Sequence, residues 1–413
     1  NGSGDCRKLP ESGGTMCPSY QATRDEKDST RARANTLREF LSKNKASNPF
    51  DHQEIKEVLD LCLSCKGCTS ECPSNVDMAS MKAEFLHQYY KTHGVPLRAR
   101  AFANITNLNA LGAIVPSLSN LVLGGKLTSG ILKKVLDVAP QRDLPKLHTI
   151  PLRQWYKKNY AALQPSKQAI KTVYLFCDEF TNYNDVPIGI KAIKLLVKLG
   201  YAVQLIQHPE SGRAHLSKGL LNSAQRLAQR NVDIFADLVS EEHPLIGIEP
   251  SAILSFRDEY PRLVHEADQD KAKELAKHAF MIDEFLAKEA EQGNITSEQF
   301  TQQHRQVLLH GHCHQKALSD VSHTAWLLSL PRNYALEIIP SGCCGMAGSF
   351  GYEKEHYDLS MQVGEMVLFP AVRSSKTDTI IAAPGTSCRH QIMDGTQRKA
   401  LHPVEVLWDA LAV

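Results

Sequence analysis

Cys62-Leu-Ser-Cys65-Lys-Gly-Cys68-Thr-Ser-Glu-Cys72-Pro73 is the stretch on which the reading of this chain turns. Thiolate sulfur is the preferred ligand of iron–sulfur clusters. Three cysteines at two-residue gaps wrap one cubane, and a fourth, just ahead of proline, reaches the other cluster of a pair. Pro73 then turns the chain away from the site. A zinc ribbon would need a second ligand pair. The crossed fourth ligand makes a demand. The triple Cys62, Cys65 and Cys68 needs a donor from another Cys-Pro motif, and Cys17-Pro18 supplies it. Cys72 is left for a second cluster with Cys6. That cluster is incomplete, because Ser3 stands where the spacing asks for a cysteine. A three-iron centre, a Ser3 oxygen ligand, an unliganded Cys6 and a loss by truncation all stay open.

The chain has 413 residues and 11 cysteines, too many and too oddly spaced for a small disulfide scaffold. An odd count with no secretory signal points to reduced thiols and metal ligation. The net charge of +2 gives no overall field for nucleic acid. The apolar stretch from Ala110 to Leu123 is interrupted by Pro116, Ser117, Ser119 and Asn120. It falls short of the roughly 20 apolar residues of a spanning helix. No methionine opens the chain, and Asn1 reads as a cut inside a longer protein. No Gly-x-Gly-x-x-Gly follows a strand and no Walker sequence occurs, so nucleotide binding has no support within these residues.

Periodicity divides the chain. A helix is expected over 21–47, a second over 51–61, and a third from Met78 to Tyr90 on the spacing Met81, Phe85, Tyr89. Pro-punctuated helices fill 96–138. Residues 1–139 thus read as a helical, two-cluster-ferredoxin-like domain, and the four prolines at 140, 145, 151 and 165 mark 140–165 as a linker. Strands then alternate with helices: Val173–Phe176, Ala202–Ile206 and Ile246–Ile248, and after a polar helical stretch, Val307–Leu309, Ala335–Ile339 and Thr379–Ala382. This order implies parallel sheets covered by helices. The expected fold class is α plus α/β, with a first, degenerate repeat at 166–262 and a helical insert plus a second repeat at 263–413.

The two halves read as one unit written twice. Setting Val173–Cys177 against Leu309–Cys313 places Glu210-Ser211-Gly212 near Cys343-Cys344-Gly345, and Ser251-Ala252 near Ser387-Cys388. On this alignment the first copy retains only Cys177. The second copy carries Cys313, Cys343, Cys344 and Cys388. Gly342 and Gly345 allow the tight loop that adjacent cysteines need to face one metal. The motifs follow strands, so the thiols are expected at the C-terminal ends of a parallel sheet, where α/β sites form. Four cysteines suit a [4Fe-4S] centre or tetrahedral zinc. Neighbouring histidines are expected as outer hydrogen-bond donors, and Cys177 as a core thiol.

Gly14-Thr-Met-Cys-Pro-Ser-Tyr20, Thr23-Arg-Asp-Glu26, Ser29-Thr-Arg31 and Cys62 to Pro73 resemble the ferredoxin-like region of bacterial FAD-linked D-2-hydroxyacid dehydrogenases. His310-Gly-His-Cys-His-Gln-Lys316 and Cys343-Cys-Gly-Met-Ala-Gly348 resemble their cysteine-rich CCG domain. The resemblance runs through the whole chain and is to the D-2-hydroxyglutarate or D-lactate dehydrogenase type. It implies an FAD-binding domain upstream, a relay of electrons through clusters to a quinone or other acceptor, and oxidoreductase chemistry for which these residues alone are not catalytic. The implied location is the cytoplasm, with a peripheral contact at the inner membrane, and the implied assembly a homo-oligomer. One alternative is the iron–sulfur subunit of a multi-chain glycolate oxidase, glycerol-3-phosphate dehydrogenase or heterodisulfide-reductase-like complex; another is a zinc-stabilised scaffold. The sequence departs from the pattern at Gly385, where related chains carry a cysteine, and at Ser211 and Ala252 in the first copy.

Overall fold

The computed structural model describes residues 2–43, 48–165 and 168–412. The end of the helix expected over 21–47, from 44 on, lies outside the described residues, as do 166–167 at the start of the first repeat and the terminal positions 1 and 413.

Eight strands are found among the described residues: β1 Thr172–Phe176, β2 Ala202–Gln204, β3 Leu245–Gly247, β4 Ala279–Met281, β5 Arg305–Leu309, β6 Tyr334–Ile338, β7 Ile380–Ala382 and β8 Ala400–Leu401. They form two four-stranded sheets, ordered β2-β1-β3-β4 and β6-β5-β7-β8. Every pairing is parallel, with Val173 opposite Val203 and Phe176 opposite Gly247 in one sheet, and Leu309 opposite Ile338 and Ala382 in the other. The chain therefore winds outward in both directions from β1 and again from β5, giving each sheet a switch point beside its first strand. Val173, Leu175 and Phe176 are fully buried, as expected of a strand covered on both faces.

The identical order in both sheets is the architectural signature of a duplication. One core joins them. The helix Val186–Lys198 packs on Pro403–Ala410, and Ile282–Glu291 packs on Val321–Leu328, so Leu175 and Ile193 of one half share a cluster with Leu309 and Leu407 of the other.

Several elements differ from the sequence reading. Residues 263–304, read as an insert of the second repeat, supply β4 to the first sheet, beside β3. β4 and β8 have only three and two residues, too short to show a period. The helix expected over 21–47 is two helices, Pro18–Thr23 and Thr30–Lys43. Arg24 between them has φ 61°, the Asp25 side chain accepts from Lys27 N at 3.1 Å, and Ser29 Oγ accepts from Ala32 N at 3.1 Å, which restarts the coil. Residues 140–165 are not an open tether. They contain the helix Leu152–Asn159 and the fully buried Arg142, which donates to Gly351 O at 2.8 Å, Ser360 Oγ at 2.9 Å and Asp394 at 2.6 Å.

In the N-terminal part, the helices Gln53–Asp60, Gly67–Glu71 and Met78–His93 close over a cluster of Ile55, Leu59, Phe85 and five cysteines. This part is bolted to both repeats by buried charge. Lys66, 1% exposed, pairs with Asp258 and, at 2.9 Å, with Glu259 of the first repeat. Lys218 and Arg98 converge on Glu353. His356 of the second repeat meets Asp60 at 2.8 Å and Glu353 at 2.9 Å, with Phe350 stacked on its ring at 4.2 Å.

His356 gives this docking a pH dependence. Burial disfavours its charge, but the bonds to Asp60 and Glu353 outweigh that and raise its pKa. A group raised in the folded state stabilises below its unfolded value, about 6.5 for histidine, and that contribution fades as pH rises through the folded value. The unfolding free energy of His356→Gln from urea titration should fall below that of the native chain at pH 6, by roughly 1.5–3 kcal/mol for a charged hydrogen bond. The gap should close at pH 9. A gap that is constant across this range would contradict the assignment.

Candidate metal centres

The first constellation is built from two turns. Cys17 sits at φ 48°, just before the Pro18–Thr23 helix, and Ser64 and Lys66 take φ 51° and 60° between the three spaced cysteines. Side-chain-bearing residues adopt this left-handed backbone at a cost and cluster where function over-determines them. Here the turns aim sulfur inward: Cys17 and Cys68 both feel Cys62, Cys68 feels Cys17, and Cys65 feels Cys62 and Cys68. All four are buried. Burial pushes Cys17 up to about 11 and Cys68 up to about 12, so four thiolates here need a cation to compensate them. Thr30 donates from N at 3.0 Å to Cys17 Sγ, with its hydroxyl at 2.8 Å from the same sulfur. Lys82 donates to the carbonyls of Asp60 and Cys62 at 3.0 and 2.7 Å, which pins the loop. This donor set fits a cubane. Cys6 and Cys72 are buried in the same apolar cluster.

The second constellation lies at the C-terminal ends of β5 and β7 and in the loop after β6. Cys313 opens the helix Cys313–Leu318, Cys343 and Cys344 occupy the loop, and Cys388 lies in the first turn of Thr386–Thr396. Gly345 has φ 95°, and a Cβ there would meet Ser360 O at 2.2 Å; only glycine permits the tight loop. Lys316 donates to Ser341 O and, at 2.8 Å, to Gly342 O, holding the loop from below. The four sulfurs form a chain of contacts, Cys313 to Cys343, Cys343 to Cys344 and Cys344 to Cys388. Hydrogen bonds to Cys343 pull Cys313 toward thiolate, and bonds from Cys343 and Cys388 do the same for Cys344, while Cys343 and Cys388 are held protonated. Beside them, His310 is fully buried and its Nε2 has no hydrogen-bond partner. An orphaned imidazole against four packed thiols fits a soft transition metal.

The two constellations touch. A Cβ on Gly342 would lie 2.7 Å from Gly14 O. His314 Nε2 is 3.1 Å from Ser64 O. Cys65 shares a buried cluster with Cys313 and Cys343 rather than with Cys62 and Cys68, and its sulfur feels Cys313 first among the other thiols.

The structure re-registers the duplication. β5 ends at Leu309 and β1 at Phe176, and the next side-chain caps are His312 and Asp178. Counted from these caps Glu179 stands at the place of Cys313, and counted from the strand ends Cys177 stands at the place of His310; on neither count does a cysteine of the first copy stand at Cys313. Arg305 and Gln306, both exposed, hid the start of β5. Carboxylates fill the vacated positions. Glu179 accepts from Ser211 N at 3.2 Å and Ser211 Oγ at 2.7 Å. Burial, with Asp178 and Glu210 nearby, raises Glu179 to about 8. Glu249 caps the helix Pro250–Ile253 and accepts from Thr386 N of the second copy at 2.8 Å. Cys177 is 3% exposed, with its sulfur facing Asn182 Oδ1 at 3.6 Å.

His312 and His314, expected as outer donors to the metal, have other work. His312 Nδ1 accepts from His314 N at 3.2 Å to cap the helix, and its Nε2 lies 4.0 Å from Glu249. The sequence reading missed Thr30, Lys66, Glu249 and His310 as parts of the site. Thr30 and His310 lay within quoted motifs, and the signal for His310 was its place directly after a strand.

Residues 1–77 match the family model of the 4Fe-4S dicluster domain. The chain is 25% identical to the D-2-hydroxyglutarate dehydrogenase of Escherichia coli strain K12, over 100% of the chain and 43% of that protein. It is 27% identical to one subunit of the anaerobic glycerol-3-phosphate dehydrogenase of the same strain, over 78% of the chain and 79% of the relative. With that strain's glycolate oxidase iron-sulfur subunit it shares 22%, over 96% and 91%. The chain is thus homologous to the C-terminal region of D-2-hydroxyglutarate dehydrogenases and to iron–sulfur subunits of two further oxidoreductases. It spans less than half the length of the D-2-hydroxyglutarate dehydrogenases it matches. No solved structure matches it.

Cys65→Ser should remove the iron of one cubane under anaerobic conditions and destabilise the N-terminal part, since ligation there is coupled to folding. Gly342→Ala should keep that iron while the clash with Gly14 costs about 1–3 kcal/mol of stability. Iron and sulfide analysis beside a urea titration checks both; unchanged iron in Cys65→Ser would contradict the assignment.

Proposed function

We propose that this chain is the iron–sulfur relay of an FAD-linked D-2-hydroxyacid dehydrogenase of the D-2-hydroxyglutarate type, carrying electrons from a flavin domain to a quinone. The observation that carries this reading is the direct packing of the two cysteine constellations, with Cys65 beside Cys313 and the Gly342 loop on Gly14. Two unrelated structural zinc sites would not need to adjoin. Two redox centres do, because electron transfer falls steeply with distance.

Cys17, Cys62, Cys65 and Cys68 would hold one [4Fe-4S] cluster, and Cys313, Cys343, Cys344 and Cys388 would hold a second centre. A bound cluster supplies one-electron acceptance and release. The chain's own groups set the surroundings. Thr30 solvates the Cys17 sulfur, Lys316 places positive charge beneath the Cys343–Cys344 loop, and apolar side chains keep water out. Oxidation of a 2-hydroxy acid to the 2-oxo acid releases two electrons and two protons, and reduction of a quinone consumes both. A flavin can take the pair as a unit and release it singly.

An apolar face favours a lipid-phase acceptor over a water-soluble one. The helices Ile105–Gly112, Pro116–Gly124 and Lys126–Val135 expose Leu111, Ile114, Leu118, Leu121, Leu127 and Ile131, the last four at 59–83%. Between Glu84 and Asp137 the sequence has no acidic residue, while Lys126, Lys133 and Lys134 line the same helices. An apolar face with basic residues and no acidic ones suits an anionic bilayer surface. No helix of the described residues is long and apolar enough to cross a membrane, so the contact is peripheral.

Residues 1–413 without flavin should not turn over D-2-hydroxyglutarate or D-lactate, yet dithionite should bleach their visible band; joined to the flavin domain they should pass electrons to a quinone analogue. Turnover by the chain alone, or a colourless preparation under anaerobic conditions, would contradict the reading. In flotation with vesicles containing phosphatidylglycerol the chain should rise with the lipid, and Leu121→Glu with Ile131→Glu should abolish this. Failure to float, with the native chain dimeric and the double variant monomeric, would assign the face to a second copy instead.

A further inference from the structure

We propose that His310 is a metal ligand of the second centre through Nε2, sharing one ion with Cys344 and Cys388. This rests on the reading of Cys313, Cys343, Cys344 and Cys388 as a metal site.

Three observations carry it. His310 is the first residue after β5 and is fully buried. Its Nδ1 lies 2.7 Å from Ser341 Oγ. That bond fixes the ring's orientation, and with Nδ1–H donating to the Ser341 hydroxyl it leaves Nε2 the lone-pair nitrogen, the arrangement metal-ligating histidines use at their second nitrogen. The other nitrogen, Nε2, has no hydrogen-bond partner. It lies with Cys344 Sγ and Cys388 Sγ in a group whose ligand atoms are all within 4.8 Å of one another. The approach of Nε2 to the Cys344 sulfur falls outside hydrogen-bond geometry. A buried ring nitrogen left unpaired is destabilising, and a metal ion between nitrogen and sulfurs would offset this. With bonds of about 2.0–2.1 Å to nitrogen and about 2.3 Å to sulfur, an ion bound by all three would draw the donor atoms closer together.

Position 385 cannot supply the missing donor. A Cβ on Gly385 would lie 2.4 Å from His312 Cδ2 and 3.3 Å from Cys388 Sγ. The histidine run that crowds out a side chain there also supplies the replacement. A neutral imidazole adds a ligand without adding negative charge, so it holds the potential of an iron–sulfur centre above that of the same site with a further thiolate in its place.

Diffraction from the full chain, prepared anaerobically and recorded at the iron and zinc absorption edges, tests the assignment. An anomalous peak at about 2.0–2.1 Å from His310 Nε2, with Cys344 and Cys388 on the same ion, is the expected result. His310→Cys should retain the metal and lower that centre's reduction potential, while His310→Ala should lose it. A peak held by sulfur alone overturns the inference and leaves the second centre standing. No peak among these residues overturns both. Should His310→Ala fail to fold, the native diffraction decides alone.

Discussion

Gly342 lies against the carbonyl of Gly14 more closely than any side chain would permit, and the rest of the molecule is arranged around that contact. It joins the loop of the second cysteine constellation to the loop of the first. Apolar side chains such as Leu63, Phe350 and Leu359 pack about the cysteines there, and buried charge fixes the same docking: Lys66 with Asp258 and Glu259, Lys218 and Arg98 on Glu353, and His314 on Ser64. Buried ion pairs are poor sources of net stability but strong devices for fixing one geometry. That suits an interface whose value lies in the spacing of two centres.

The duplicated α/β half explains why a second centre exists and why there is one rather than two. Each sheet offers the same switch point. In the second copy it gathers four thiols and a histidine. In the first, Glu179, Ser211 and Glu249 close the same volume with hydrogen bonds. The replaced copy stays useful. Glu249 reaches across to Thr386 N at the start of the helix that carries Cys388. The retired site thereby braces the working one.

How much could be read beforehand follows from the range of each signal. The Cys62–Cys72 run is local, so its chemistry was legible from spacing alone, and so were the βα alternation and the convergence of Cys313, Cys343, Cys344 and Cys388. β4 was missed because its three residues lie inside a stretch that is otherwise polar and helical, and β8 because it has only two. The alignment of Cys177 with Cys313 failed because β5 opens on exposed Arg305 and Gln306, which look like loop. His310 was hidden among three histidines of identical composition; only the orphaned Nε2 separates it from His312 and His314, whose nitrogens cap a helix and bind Ser64. The break at Arg24 rests on capping by Asp25 and Ser29, a pattern that is readable but was masked by the apolar stripe beyond it.

The central claim is that the two constellations are redox centres held in contact. Low-temperature electron paramagnetic resonance, recorded as the chain is titrated to full reduction, tests it most directly. Half-reduced protein should show the lines of one paramagnetic centre. Full reduction should broaden and split those lines through the spin of the second centre beside it. Lines that stay unchanged to full reduction would contradict the account, whether because the Cys313–Cys388 site holds a metal without redox chemistry or because the two centres lie too far apart to exchange electrons.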